Sequence, residues 1–483
     1  LQGAAHLNKG NPTVIVDHNK VQTDKLLEEI VDLRDLEKKL STFGWFIVRC
    51  NGHDFDELER AFSACNNVTN QPRLIIADTI KGKGISFMEH PLALDKGNGF
   101  YPWHAGAPDD DSFAAGLNEL RIRINKILKG LSLDPLSLKD TIPLKNNKEK
   151  LNASLVGEQL SQASIDKQKE VSEEYVANAY GEALVELADK RKDFVVLDGD
   201  LSVDCRLRNF ERKYPDRFIE VGIAEQDMVS MAGGLARQDL IPIVNTFASF
   251  LSARSNEQIY NNASENSKII YVCHYAGLIP AGPGKSHQSI RDISLFGSVP
   301  NMTIIQPCNA IETKLALEYC INEAEKNCML RLIIGPSPQE INLPDDYSFK
   351  KGLGMVLKEG EDAVVFAYGP VILNEVLIAS NLLEKKGVGL KVINMPWLNT
   401  INSNWLSRVK DGFKRVFVVE DHSPTGGLGS FLLAKLNENQ QLGKGNFKII
   451  GVEGFPVCGT PAEALAYHHM NASAISKTIS YLL

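Results

Sequence analysis

The sequence predicts an α/β protein built from three doubly wound, mostly parallel-sheet domains. Three observations lead there. Short apolar, β-rich runs alternate with amphipathic segments along the chain, the pattern of strands joined by crossover helices. The 483 residues suffice for roughly three domains of ordinary size. The alternation breaks twice, at the polar, weakly periodic stretch 131–173 and at the Pro-interrupted stretch Gly335–Lys350. The expected domains are therefore 1–130, 174–345 and 346–483, with 131–173 as a surface linker.

The elements follow in order. Leu1–Leu7 reads as the last turns of a helix already under way, and Asn8-Lys-Gly-Asn-Pro12 as its stop and turn. An N-terminal portion of the natural protein is therefore expected before Leu1. In the first domain Thr13–Val16, Phe46–Cys50 and Leu74–Ala77 are strand candidates, with the amphipathic Phe55–Ser63 between the last two. The second domain opens with the amphipathic Tyr180–Asp189. Its strand candidates are Phe194–Leu197, Ile241–Asn245, Lys268–Cys273, Met302–Gln306 and Leu330–Ile334, with Ile311–Glu323 a helix. An apolar strand-like run from Phe218 leads into the small-residue helix Val229–Ala236. The third domain offers Ala363–Ala367, Gly389–Asn394, Arg415–Val419 and Lys448–Val452 as strands and Val371–Lys386 as a helix.

Composition narrows the function. A net charge of −8 argues against a general nucleic-acid or anionic-membrane surface. No run is long and apolar enough to span a bilayer. The eight cysteines lie scattered, without CxxC or metal-type spacing. They read as reduced core thiols, and the expected compartment is the cytoplasm.

Several loops carry chemistry-bearing residues just past strand ends, where ligands of open α/β sheets bind. Asp17, Asn19 and Thr23 follow the first strand and supply hard oxygens of the kind Mg²⁺ prefers. An Asx-rich turn that only satisfies its own backbone is the alternative. Asp78-Thr-Ile-Lys-Gly-Lys-Gly-Ile-Ser86 joins glycines to lysines, so that backbone amides and positive charge could meet an anion, or it is a plain solvated turn. His104 lies between rigid residues in Tyr101-Pro-Trp-His-Ala-Gly-Ala-Pro108, poised for proton transfer or simply hydrogen-bonded in its loop. Leu197-Asp-Gly-Asp-Leu201 offers Asp198 and Asp200. Glu225, at a strand-to-helix junction, is either a buried protonated hydrogen-bond donor or a helix-capping glutamate. Phe247 and Phe250 are spaced to share a helical face and sandwich a flat heterocycle, or else to pack in the core. The loop from Val272 to Gln288 carries His274, Lys285 and His287 in a Gly/Pro-rich setting common in active-site walls.

In order along the chain stand the strand-end Asn loop, Trp-His-x-Gly-x-Pro, the linker, Gly222-Ile-Ala-Glu-Gln226, Thr246-Phe-x-x-Phe250 and Gly282-Pro-Gly-Lys-Ser-His-Gln288. Val418-Val-Glu-Asp-His-Ser-Pro-Thr-Gly-Gly-Leu-Gly-Ser430 follows. Taken together this resembles the transketolase-like family of thiamine-diphosphate enzymes along essentially the whole chain.

The resemblance implies a diphosphate- and Mg²⁺-binding first domain (Ca²⁺ or Mn²⁺ as substitutes), a pyrimidine-binding second domain and a transketolase C-terminal third. Asn19 matches the family's metal-binding Asn, and the Val21 carbonyl would be the neighbouring ligand. The family's Gly-Asp-Gly would lie before Leu1. Lys81 and Gly82 fall on the cofactor side. Glu225 matches the glutamate that hydrogen-bonds N1′ of the aminopyrimidine and so controls the tautomer that takes the thiazolium C2 proton. Phe247 and Phe250 match the aromatics around the pyrimidine, and Asp200 the acid near the thiazolium. His104 and His287 match histidines that move protons, and His274 one near the distal end of the acceptor site. A homodimer acting on small sugars is implied, with sites at the subunit interface.

The chain departs from sugar transketolases in four places. The loop Ala281–Ser286 has no acid, and Asn178 (or Ala179), Gly335-Pro336 and Asp204 stand where cationic or hydroxyl groups would hold a sugar phosphate. Lys285 partly substitutes. The expected activity is ketol transfer from a ketose to an aldose on an altered or unphosphorylated sugar. The alternatives are a 1-deoxyxylulose-5-phosphate-synthase-like carboligase and a catalytically inactive binding subunit.

Overall fold

A computed structural model describes residues 2–7, 9–104, 108–136, 172–440 and 446–483. Most of the expected linker, 137–171, lies outside the described residues, as do Gly106 of the His104 loop and Leu1 and Asn8 of the N-terminal stretch. The chain divides into two compact units, Leu1–Gln168 and Lys169–Leu483.

The first unit holds a three-stranded parallel sheet in the order β1-β3-β2. Its strands are β1 (Thr13–His18), β2 (Phe46–Asn51) and β3 (Arg73–Asp78). The central β3 carries the buried Leu74, Ile75 and Ile76, because a middle strand is covered on both faces. Helix Phe55–Asn66 begins where the Asp54 carboxylate accepts from the Glu57 amide at 3.0 Å, a cap that satisfies one of its free N–H groups. A long helix, Asp110–Gly130, is capped the same way by Asp109.

The second unit contains two sheets on one continuous core. The first has six parallel strands: β4 (Phe194–Asp198), β5 (Phe218–Glu220), β6 (Ile241–Phe247), β7 (Ile270–His274), β8 (Thr303–Ile305) and β9 (Cys328–Leu332), in the order β5-β4-β6-β7-β9-β8. β4, β6, β7 and β9 are buried throughout. That burial is why they read as unbroken apolar runs. The other sheet comprises β10 (Met355–Lys358), β11 (Ala363–Ala367), β12 (Leu390–Asn394), β13 (Arg415–Val419) and β14 (Asn446–Ile450), in the order β10-β12-β11-β13-β14. β10 alone runs antiparallel, paired with β12 at the edge.

The two sheets of this unit are joined by polar contacts. Arg331 on β9 is wholly buried, its Nε 2.7 Å from Asp292 and its Nη1 3.3 Å from Asp421, just past β13. His422 lies against Ser294, whose amide reaches its Nε2 at 3.4 Å. The Glu420-Asp421-His422 signature is therefore a packing junction. All eight cysteines are free thiols, and all but Cys458 are buried. Among the described residues no helix is long and apolar enough to cross a membrane.

Candidate active site

The second unit gathers its site at the C-terminal ends of β4 to β7. Glu225 is the first residue of helix Glu225–Ala236, and the Ala224 before it supplies no side-chain cap. Its carboxylate is 6 % exposed and accepts from Arg254 Nη1 at 2.5 Å. The Arg254 guanidinium in turn lies 4.0 Å from the centre of the Phe250 ring, a cation–π contact. A cavity of about 470 Å³ opens here, lined by Ile223, Glu225, Asp227 and Arg254 among others.

Behind Arg254 stands an aromatic cluster. Phe250 is 5.4 Å from Phe247 and 5.2 Å from His287, ring centre to ring centre, and Tyr275 lies 5.3 Å from Phe247. His287 follows the short turn Gly284–Ser286, with its Nδ1 2.9 Å from Ser286 Oγ. Partial burial, and then the Arg254 charge, lower its pKa, so the ring is neutral at pH 7 and able to accept a proton. Glu225, Phe247, Phe250 and His287 are thus brought together from three separate segments.

Asp200 lies in the loop after β4, 2 % exposed, in a left-handed conformation (φ 62°). Its amide donates to Glu220 Oε1 at 2.9 Å. Lys285 is exposed on the same loop as His287.

The first unit builds a separate site from the loops after β1 and β3. Asn19 Oδ1 accepts from the Val21 amide at 3.0 Å, and its Nδ2 donates to Asp17 at 3.4 Å. Asp17 also accepts from Thr79 Oγ1. Lys81 Nζ donates to the carbonyls of Gln22 and Thr23 and lies 2.9 Å from His104 Nδ1. That contact leaves the His104 proton on Nε2. Desolvation, then Lys81, lower the His104 pKa, so this ring too is neutral at pH 7. A Cβ on Gly82 (φ 79°) would fall 2.0 Å from the Met88 carbonyl, so only glycine fits. A cavity of about 490 Å³ is lined by Asp17, Asn19, His53, Thr79, Lys81 and Gly82, among others.

Four of the expected site residues are placed as follows, and one grouping needs correction. His274 is wholly buried at the end of β7, its Nε2 3.4 Å from Asn245 and its ring 5.4 Å from Tyr180. Phe247 and Phe250 do not share a helical face. Phe247 closes β6 and Phe250 belongs to the following helix Ala248–Arg254, and their rings touch each other at 40° instead of flanking a gap. Glu225 Oε1 is engaged by Arg254.

Four residues of these neighbourhoods escaped the sequence reading. Arg254 is four residues after Phe250, the spacing of a helical side-chain pair, and that signal was available. Glu220 faces Asp198 across β4 and β5, which only strand pairing reveals. His53 Nε2 accepts from the Ile80 amide at 2.8 Å and walls the first unit's cavity. Arg206, in a left-handed turn (φ 60°), donates to Asn178 at 2.7 Å, so the neighbourhood of Asn178 carries a guanidinium after all.

The transketolase thiamine diphosphate binding domain matches residues 1–92, the transketolase pyrimidine binding domain residues 175–333, and the transketolase C-terminal domain residues 352–475. Transketolase-like protein 2 of Mus musculus is 29 % identical over 98 % of this chain and 72 % of that protein. A putative transketolase C-terminal section of Methanocaldococcus jannaschii is 32 % identical over 62 % of this chain and 93 % of the relative. A solved structure described as a split gene transketolase, inactive β4 tetramer, superposes with a TM-score of 0.58 at 32 % identity, covering 64 % of this chain and 98 % of that one. The chain belongs to the transketolase family.

Proposed function

We propose that the protein is a thiamine-diphosphate- and Mg²⁺-dependent transferase that moves a two-carbon ketol unit from a ketose to an aldose. The observation that carries this reading is the convergence of Glu225, Phe247, Phe250 and His287 on one strand-end site.

The residues fit the cofactor chemically. Gly82 is a position a Cβ would close, and the loop around it carries Lys81 and Lys83 for a diphosphate. Asp17 and Asn19 provide hard oxygens, as Mg²⁺ requires, and the Val21 carbonyl is the proposed neighbouring ligand. Among the described residues no three His, Cys, Asp or Glu side chains cluster around a metal. The ion would therefore lean on amide and carbonyl oxygens and on the diphosphate. When bound, thiamine diphosphate supplies an acidic carbon that can carry the transferred fragment.

This chain's residues supply the rest. Glu225 would hydrogen-bond the pyrimidine nitrogen, and Phe250 would give the ring an apolar wall. Neutral His104 and His287 take and return protons at the substrate hydroxyls. Asp200 stands at the cofactor side of the loop after β4. Ile223, 60 % exposed beside the Glu225 cavity, is the kind of apolar rim residue a second subunit covers, and a homodimer is the proposed assembly. An unphosphorylated or altered sugar is the proposed substrate, with Lys285 and Arg206 as the cations nearest the acceptor side.

The test is deuterium exchange at the cofactor's acidic carbon, followed by NMR on protein loaded with thiamine diphosphate and Mg²⁺. Glu225→Gln is expected to slow the exchange by about 100-fold, a usual size for a proton-transfer contribution. Equal exchange in both proteins sinks the assignment of Glu225.

A further inference from the structure

Two acids that the reaction does not use lie side by side beneath the site. Asp198, the last residue of β4, pairs directly with Glu220, the last of β5, across the parallel ladder. Asp198 is wholly buried and Glu220 half-buried. Asp198 Oδ1 is buried with no other hydrogen-bond partner, and the Glu220 carboxyl is the acid beside it. Two carboxylates cannot hydrogen-bond without a proton between them, and a low-dielectric site opposes two adjacent negative charges.

The remaining oxygens of the pair hold backbone. Glu220 Oε1 accepts from the Asp200 amide and from the Gly222 amide, each at 2.9 Å. Asp198 Oδ2 accepts from the Leu201 amide at 2.9 Å. The Val221 amide donates to the Asp198 carbonyl at 3.0 Å. One loop carries Asp200, and the other runs through Gly222 to Glu225. They approach so closely that a Cβ on Gly199 would stand 3.4 Å from the Gly222 carbonyl. Asp200 holds a left-handed backbone (φ 62°), costly for a residue with a Cβ unless its surroundings fix it.

We propose that Asp198 and Glu220 are positioning residues that share one proton, and that this proton latches the Asp200 loop to the Glu225 loop. The proposal deepens the cofactor reading, since it rests on Asp200 and Glu225 facing the cofactor. Burial and the neighbouring Glu220 push the Asp198 carboxyl well up, and burial raises Glu220 as well, which keeps the proton in place at neutral pH. Alkaline pH removes it and sets two carboxylates against each other, so the latch loosens as pH rises. The other titratable groups facing the pair are Asp200, Cys205 and Tyr180, with Asp204 and Arg206 beyond Cys205. Cys205 and Tyr180 are both raised by burial and stay neutral over this range.

Amide hydrogen exchange on the full chain, with thiamine diphosphate affinity measured in parallel, tests the latch. At neutral pH, Asp198→Ala is expected to speed exchange at Asp200 and Gly222 about tenfold, the equivalent of one lost hydrogen bond. Cofactor affinity should weaken by about the same factor. Asp198→Asn keeps the Leu201 contact and offers Glu220 an N–H that never titrates, so it should restore both. In wild type the protection of these amides, taken relative to Asp198→Asn at each pH, should fall as pH rises. If Asp198→Ala fails to fold, Glu220→Gln serves: its oxygen still accepts both amides, its N–H reaches Asp198, and the pH dependence should vanish. Asp198→Asn behaving like Asp198→Ala, or a flat wild-type pH profile, overturns the proposal. The expected exchange pattern in a chain that binds no thiamine diphosphate would instead uphold the latch and refute the cofactor reading.

Discussion

His274 ends a central parallel strand with no solvent on any side, and burial pushes its pKa down to about 3. Its unfolded value is near 6.5, so the unfolded chain binds the proton first. The stability it lends is complete above that unfolded value and is lost as pH falls toward the folded one. Between pH 7 and pH 5 the loss from this one ring is about 2 kcal/mol. Denaturant unfolding of His274→Gln should therefore show an acid loss smaller by that amount. Identical acid losses would mean the ring is not held neutral. The same residue shows what sequence alone hides. A histidine in a Gly/Pro-rich active-site loop and a histidine on the last turn of a buried strand look alike until the strand's end is located. Glu225 shows the converse. Its place at the head of a helix was legible from the small-residue run after it, whereas its pairing with Arg254 depended on the helix that follows β6.

At the scale of elements, the parallel strands were legible because strands covered on both faces carry unbroken β-branched runs. Ala363–Ala367 and Arg415–Val419 coincide with β11 and β13 to the residue. β10 was not foreseen. It is half-buried along its length and sits at an edge, so neither an apolar run nor a clean alternation marks it. Phe247 was assigned to the wrong element because the β6 run continues past Asn245 into the aromatic pair. The loop that carries His287 depends on Gly277. Its φ is 79°, and a Cβ there would lie 1.8 Å from the Asp421 carboxylate, which pairs with buried Arg331. Gly277→Ala combines backbone strain with a clash in a buried charge cluster, and should destabilise the second unit by about 2–4 kcal/mol. Thermal unfolding checks it, and a change under about 0.5 kcal/mol, the size expected of an ordinary surface substitution, would show that the junction has slack.

For the whole molecule, one strand-end site in each compact unit carries one part of the proposed chemistry: Asp17, Asn19, Lys81 and His104 in the first, Glu225, Phe250 and His287 in the second. The order of their motifs along the chain, matched to the transketolase-like family, brought these residues into a single reading. The buried acid pair beneath Asp200 was not readable in the same way, since β5 is three residues long and its register with β4 is a tertiary fact. Binding of the cofactor by the intact chain is the direct test, made by isothermal titration with thiamine diphosphate in the presence and absence of Mg²⁺. Saturable, Mg²⁺-dependent binding is expected, weakened at least about tenfold in Glu225→Ala, the loss of one charged hydrogen bond. No binding under either condition, or equal affinity in the variant, would contradict the proposed role of these two sites.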